Sequence, residues 1–582
     1  MKGLVISMKN NNLISRVGEK YVTSGMQPWQ EHPRPQMKRE KYHMLNGEWK
    51  LNGDRVMVPF PPQSLLSQYN KKVSDTLIYE KVFDIPDFFD NERVLLHFGA
   101  VDQIARVWVN DVFVGEHVGG YLPFEFDITD AVQPSHNILK VEAIDTLSKV
   151  YPYGKQTNKP GGMWYTPVSG IWQSVWIENV PDVYIKDIVV TPDLNGISIK
   201  LRSSSDEISG FCVNINIDNV KKIEVHIEGN NGYIDMSNYN PKLWTPDTPH
   251  LYEMSVTFGE DKVKSYFALR TIEIRDVYDK NKGKEIPRVL LNGKPIFMHG
   301  VLDQGYFCDG IYLPALPCAY ENDIRRMKEL GINFLRKHIK VEPEAFYYAC
   351  DRLGMLVMQD MVNSGSYSFI RDTVIPTFVT KRKKDNKKAI SGDRKLFFRQ
   401  HTKDTINHLY NHPCIIAYTI FNEGWGQFNS DEMYDYVKNL DNTRLIDSTS
   451  GWFWQDKNDF DSEHIYFKVI PLKVKDRPLF VSECGGYSLA VKEHIYVKDK
   501  SYGYGKCANS QILTEKILYM YENMILPYIG DGLCGCVYTQ LSDVEEEING
   551  LYTYDRKVCK VDKSVMQHIS NKIKMSIEKV GE

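Results

Sequence analysis

Between residues 40 and 178, apolar and polar positions alternate in short runs. "RVLLHFGAV", "ARVWVNDVFVGEH", "NILKVEAID" and "SVWIENV" are strand-length, and Gly, Asn, Asp and Pro punctuate them. Side chains on a strand alternate between its two faces, so this spacing predicts a β-sandwich or jelly roll. "VNDVFVG" predicts a hairpin with Asn110-Asp111 at its tip. Residues 179–277 keep the rhythm in "YIKDIVVTPDL", "GISIKLRS", "FCVNINID", "KKIEVHIEG" and "LYEMSVTFG". About seven strands in about a hundred residues predict an immunoglobulin-like sandwich. "WTPDTPHLY" (244–252) reads as a Pro-stiffened crossing before its last strands.

After residue 280 apolar strand-length runs alternate with helical patterns. "PIFMHGV", "INFLRKH", "MLVMQDM", "IIAYTIFNE", "RLIDSTS", "EHIYF", "LFVSE" and "CGCVYT" give eight candidate strands. In "AYENDIRRMKELG", Ile324, Met327 and Leu330 share one helical face and Gly331 ends it. "EPEAFYYACDRLG" repeats the pattern, "GDRKLFFRQHTKDTINHLYNHP" is longer, and "VDKSVMQHISNKIKMSIEKV" is the last helix. Eight strand–helix alternations predict a (β/α)8 TIM barrel. The expected domains are therefore 1–178, a jelly roll with an N-terminal extension; 179–277, the immunoglobulin-like sandwich; and 278–582, the barrel.

Composition narrows the function classes. Lys and Arg number 71 against 75 Asp and Glu, so neither nucleic acid nor an anionic membrane is an expected partner. No run of eighteen apolar residues predicts a membrane span. The apolar stretch in "MKGLVISMKNNN" is too short for a signal peptide. Ten Cys are scattered without a CxxC pair or zinc spacing. They read as buried reduced thiols in a cytoplasmic protein, with no cofactor. A homo-oligomer is left open. The basic run "KRKKDNKK" (381–388) lies in a long loop after strand three and reads either as a solvated surface or as an anion contact.

The candidate chemistry lies at strand ends. "CIIAYTI" climbs into "FNEGWGQF", so an apolar strand ends in Asn422 and Glu423. Such a carboxylate is costly unless something pairs or uses it. Strand seven, "PLFVSECGG", ends in Glu483. Strands four and seven lie roughly across a barrel, whose chemistry gathers at the C-terminal strand ends. Two converging carboxylates, one protonated and one ionised, are what glycosidic bond cleavage requires.

These stretches resemble glycoside hydrolase family 2, the family of β-galactosidases, β-glucuronidases and β-mannosidases, over about residues 40 to 560. "VFVGEHVGGYLPFEFDIT" and "PVSGIWQSVWIE" resemble its sugar-binding domain, and "RKHIKVEPEAFYYACDRLGMLVMQD" its second and third barrel strands. "NHPCIIAYTIFNE" and "VSECGG" match its acid/base and nucleophile motifs. The resemblance implies retaining hydrolysis of β-glycosides, with Glu423 as acid/base and Glu483 as nucleophile. It implies that Asn422 binds the sugar 2-hydroxyl, that Arg336 and His338 line the pocket, and that Tyr466 bonds Glu483. Asp303 and Asp360 are hydroxyl binders or salt-bridge partners. Trp164, Trp425, Trp452 and Trp454 stack on sugar or pack in the core. "QDMVNSGSYS" has no Glu/His set for the Mg²⁺ of large family β-galactosidases, so no metal is expected.

The sugar is the open question. Family β-glucuronidases carry an Asn-x-Lys pair before a "TRDRK"-like segment, where it holds the substrate carboxylate. The corresponding stretch here is "SDVEEEINGLYTYDRK" (542–557), with Asn549 but Leu551 in place of Lys, and with Glu545, Glu546 and Glu547 before it. A neutral sugar is therefore expected, galactose first, with a β-glucuronidase or β-mannosidase as alternatives. An inactive carbohydrate-binding protein is the alternative from another class, and retention of both glutamates argues against it.

Overall fold

The alternating runs of the first third become two facing antiparallel sheets in the computed structural model. It describes residues 13–580 apart from 218–220, 281, 369, 376–384, 387–389, 467 and 499. The six-stranded sheet runs from Asp54–Val58 at one edge to Val112–Val118 at the other, and four strands including Arg93–Phe98 and Val175–Val180 face it. Trp49, Tyr79, Leu96, Val107, Leu139 and Ile177 fill the space between. Asn110 and Asp111 both adopt positive φ, 49° and 64°, as a tight two-residue hairpin turn requires. The second sandwich packs Ile185–Pro192, Gly196–Ser203 and Asn231–Asp235 against four strands from Gly210–Asn216 to Asp261–Phe267. Trp244, in the Pro-rich crossing, is fully buried, and its Nε1 donates to the Asp351 carbonyl of the barrel at 2.7 Å.

The eight apolar runs of the last half are eight parallel strands: β1 (Met298–Asp303), β2 (Phe334–Lys337), β3 (Leu356–Asp360), β4 (Ile415–Asn422), β5 (Leu445–Ser450), β6 (Asp461–Ile465), β7 (Leu479–Cys484) and β8 (Leu533–Tyr538). Helices cover them. Cys318–Glu329 turns Ile324 and Met327 inward, and Gly331 takes φ +79° after it. Neighbours pair in order and β8 closes on β1, but no ladder joins β5 to β6 among the described residues. Side chains seal that seam. Ser462 Oγ on β6 donates to Asp447 Oδ2 on β5 at 2.7 Å, and Asn458 donates to Asp447 Oδ1 at 3.0 Å. The basic run 381–388 falls outside the described residues except Asp385 and Asn386, and Asp385 accepts from Gln427 and the Ser430 N–H.

Candidate active site

All eight residues of β4 are buried, and the chain turns sharply where it leaves the barrel. Glu423 takes φ +52° and Gly424 φ +71°. The left-handed region disfavours a residue such as Glu, and strain of this kind gathers at functional sites. A Cβ on Gly424 would lie 2.4 Å from the Phe453 ring, so glycine is needed there twice over. The Glu423 N–H donates to the Ser450 carbonyl of β5 at 3.0 Å, which fixes the turn. Across the barrel Glu483 sits within β7, in register with His464 on β6.

One guanidinium ties these strand ends together. Arg336, fully buried on β2, donates from Nη1 to Glu483 Oε1 at 3.0 Å, from Nη2 to Asn422 Oδ1 at 2.9 Å and from Nε to Asp360 Oδ1 at 3.0 Å. Because Asn422 must accept from Arg336, its amide orientation is set. Its Nδ2, which bonds no described residue, is left for the pocket. Asp360 Oδ2 also lies 2.7 Å from His338 Nδ1. Tyr466 donates to Glu483 Oε2 and stacks on Tyr504 with ring centres 4.2 Å apart. His464 stands between the carboxylates, with Nδ1 2.8 Å from Glu423 Oε1 and Nε2 3.6 Å from Glu483 Oε1. An oxygen of Glu423, a nitrogen of His464 and an oxygen of Glu483 lie within 4.8 Å of one another. That spacing would also hold a metal ion, which would then fill the gap between the carboxylates.

The electrostatics separate two kinds of group. Burial alone would raise Glu483, but His464, Arg336, His338 and Lys155 outweigh it and hold the carboxyl down to about 2. Burial, helped by the Lys155 charge, pushes His338 down to about 4 against the pull of Asp360, so its ring is neutral near pH 7. Burial works against the charged form of His464 too, yet Glu483 and Glu423 carry it above the ordinary imidazole value.

The other residues singled out from sequence are placed unevenly. Asp360 belongs to the Arg336 network. Asp303 does not: its Oδ2 accepts from Lys337 at 2.5 Å and its Oδ1 from the Gly305 N–H, on the other side of β2. Trp425 is 3% exposed, its Nε1 donates to the Gly365 carbonyl, and Trp164 and Tyr153 abut it edge-on. It packs the wall and offers no open face. Trp164 is half-buried between Trp425 and Tyr367. Trp452 is buried, its ring edge-on to His464 at 5.8 Å, and Trp454 is exposed.

The acidic run does not stand as a bare patch. Glu545 Oε1 accepts from the Thr166 N–H at 2.9 Å and Glu546 Oε2 from the Gly162 N–H at 3.0 Å. Glu547 accepts from the Tyr165 hydroxyl and from Asn549 Nδ2. All three thus fasten the jelly-roll loop 162–166 to the barrel. Asn549 also accepts from Gln540 at 2.8 Å, and Leu551 is fully buried in the core. Sequence reasoning missed His464. Its signal was strand periodicity, because in "EHIYF" it precedes Tyr466 by two and so shares its face. It also missed Lys155, whose charge acts on Glu483 and His338 from a distant segment that carries no local signal.

With that geometry in view, comparisons with known proteins place the chain. Residues 45–181 match the sugar binding domain of glycosyl hydrolases family 2, residues 183–270 its central family model, and residues 284–473 its TIM barrel domain. The chain belongs to glycoside hydrolase family 2. A β-galactosidase of Thermoanaerobacter pseudethanolicus is 27% identical over 431 residues, covering 69% of this chain and 53% of that protein. One from Lactococcus lactis is 26% identical over 405 residues, covering 68% and 37%. The chain thus spans about half, or less, of the length of these curated relatives. Among solved structures, a β-D-glucuronidase of Dictyoglomus thermophilum shares the fold, with TM-score 0.72 at 19% identity, covering 93% of this chain and 98% of that one.

Proposed function

We propose that the chain is a retaining exo-β-glycosidase acting by double displacement on a neutral sugar, galactosides first. Glu483 attacks the anomeric carbon while Glu423 gives its proton to the departing glycosidic oxygen. A glycosyl ester on Glu483 forms and the aglycone leaves. Glu423, now a carboxylate, takes a proton from water, and the resulting hydroxide equivalent displaces Glu483 from the same face the aglycone left. The carrying observation is the separation of no more than 4.8 Å between the nearest ligating oxygens of the two carboxylates. Retaining pairs stand about 5–5.5 Å apart, whereas inverting pairs leave about 6.5–9.5 Å for water.

The surroundings support the division of labour. Glu483 has the low pKa and the fixed orientation, from Arg336 and Tyr466, that a nucleophile needs. Among the described residues the Glu423 carboxyl has the single partner His464, with which it can exchange a proton between steps. Asn422 Nδ2 is set to meet the 2-hydroxyl, a contact that strengthens in an oxocarbenium-like transition state. The galactoside reading draws on the two β-galactosidase relatives named above, although putative β-glucuronidases of Formosa agariphila are also similar at 24% identity, and on Leu551, an apolar core residue at the position where a uronate would need a cation.

Azide rescue tests the roles. Glu483→Ala should lose about four or more decades of kcat, and azide should restore turnover as the α-glycosyl azide. Glu423→Ala should suffer most with poor leaving groups and give the β-azide. Opposite anomers would exchange the two assignments. An α-sugar as the first product from a β-glycoside would remove retention. Inertness toward every aryl glycoside would leave a carbohydrate-binding protein.

A further inference from the structure

A jelly-roll segment, residues 153–156, lies against the barrel beside the ends of β2 and β3. The Tyr153 and Gly154 N–H groups both donate to the Asn363 carbonyl just after β3, at 3.0 and 3.2 Å. Asn363 in turn donates from Nδ2 to the Trp425 carbonyl at 3.0 Å, beside the end of β4. Gly154 takes φ +68°, and a Cβ there would lie 2.8 Å from the Tyr121 hydroxyl and 3.1 Å from the Ile339 carbonyl. The backbone therefore runs directly over the residue that follows His338. On the far side, Gln156 is locked by Asp102, Tyr121 and the Val168 N–H, and the Lys155 carbonyl accepts from the Tyr165 N–H.

Lys155 is thus carried on a backbone held from both sides, yet its own ammonium is uncommitted. It makes no hydrogen bond or ion pair with any described residue, although it is half-buried and its charge reaches both Glu483 and His338. A partly buried ammonium with three donors and no acceptor is costly unless something fills that role.

We propose that Lys155 is a specificity-determining residue of the sugar pocket, its ammonium donating to a hydroxyl of a neutral sugar seated over Glu483 on the His338 side. This rests on the glycosidase reading above. The charge balance favours a hydroxyl over a carboxylate. Glu423, Glu483 and Asp360 already surround Arg336 and His464, and Glu547 lies near enough that Tyr502 and Tyr504 feel both it and Glu423. A uronate would add a fifth anion to that ring, whereas a hydroxyl accepts from Lys155 without adding charge.

The test measures kcat/KM for wild type, Lys155→Met and Lys155→Arg. The substrates are the neutral nitrophenyl β-glycoside cleaved best, its four monodeoxy analogues, and the β-glucuronide and β-galacturonide. Lys155→Met should lose roughly 30- to 100-fold on the parent glycoside, the size of a charge-assisted hydrogen bond. It should lose less than about threefold on the one deoxy analogue that lacks the partner hydroxyl, and Lys155→Arg should recover part of the activity. Melting temperature should not move. An equal loss on every analogue would overturn the contact. A uronide cleaved faster than any neutral glycoside by wild type, with that advantage gone in Lys155→Met, would overturn the neutral sugar. Normal wild-type turnover with no effect of either variant would sink this inference alone, while absence of any wild-type turnover would sink the glycosidase reading with it.

Discussion

Strand β2 feeds two buried charged networks, one from each face. Arg336 and His338 point into the barrel mouth. Lys337 points the other way, where its Nζ meets Asp303 at 2.5 Å and Glu342 at 2.9 Å. Lys340 joins it, donating to both oxygens of Glu342 and to the Gly305 and Tyr312 carbonyls, and Tyr320 donates to Glu342 as well. Both networks are equally buried and both mix cations with carboxylates. They differ in closure. Each charge of the Lys337 network is answered within it. Among the described residues, the Arg336 network ends in Glu423, with one protein partner, and in Asn422 Nδ2, with none. Burial and charge therefore do not mark a site; unused hydrogen-bonding capacity inside an ordered network does.

The closed network should break as structure. Glu342→Gln leaves Lys337 and Lys340 short of their shared carboxylate. Removing one partner from a buried ion network costs about 3–5 kcal/mol, which denaturant titration would read, while kcat of the folded fraction stays within about threefold. A collapse of kcat at undiminished stability would make this network part of the site.

The open network should break as function. Arg336→Met is expected to cost about 10²- to 10³-fold in kcat/KM. It should also move the acid limb of the pH profile upward. Glu483 is held near 2, below the ordinary value of about 4.3, and the guanidinium is one reason. The stability that this depression contributes is present above about pH 4.3 and lost as pH falls toward 2, so the variant should also lose some stability at neutral pH. An unmoved acid limb would mean that Arg336 does not keep Glu483 ionised.

His464→Gln should cost less, about 10- to 100-fold, and mainly with poor leaving groups, since it touches the proton of Glu423. An equal loss for good and poor leaving groups would reduce His464 to a packing residue. Chelation should have the smallest effect of all. EDTA should leave turnover unchanged, and added Zn²⁺ should inhibit by bridging Glu423, His464 and Glu483. Loss on EDTA with recovery on Mg²⁺ would overturn the metal-independent reading.

Much of this was legible in the sequence, for physical reasons. Most barrel strands, β4 and β7 among them, are buried on both faces and read as apolar runs, against which Asn422, Glu423 and Glu483 stand out at the ends. Asn110-Asp111 was legible because a two-residue hairpin demands positive φ. What was not legible depends on tertiary approach. Asp303 at the end of β1 and Asp360 at the end of β3 look alike in sequence, yet which side of β2 each carboxylate meets decides that one pairs with Lys337 and the other with Arg336. Lys155 sits 328 residues before Glu483 in a Gly-rich stretch with no period, and only the docking of the jelly roll makes it a neighbour. Glu545, Glu546 and Glu547 look like a repelling cluster until the N–H groups and hydroxyl of residues 162–166 are seen to receive them.

The unlaced seam between β5 and β6 gives the barrel a natural fuse. His464 rides on β6, while Ser450 on β5 touches its Nε2 at 3.1 Å and receives the N–H of Glu423 on its carbonyl. Parting those two strands breaks a few side-chain bonds and no ladder, so it should occur at lower free energy than global unfolding. It would take His464 away from Glu423 while leaving the rest of the sheet paired. On heating, catalysis should therefore fail before circular dichroism registers any loss of fold, and the amides of residues 445–465 should exchange with deuterium ahead of those in β2 to β4.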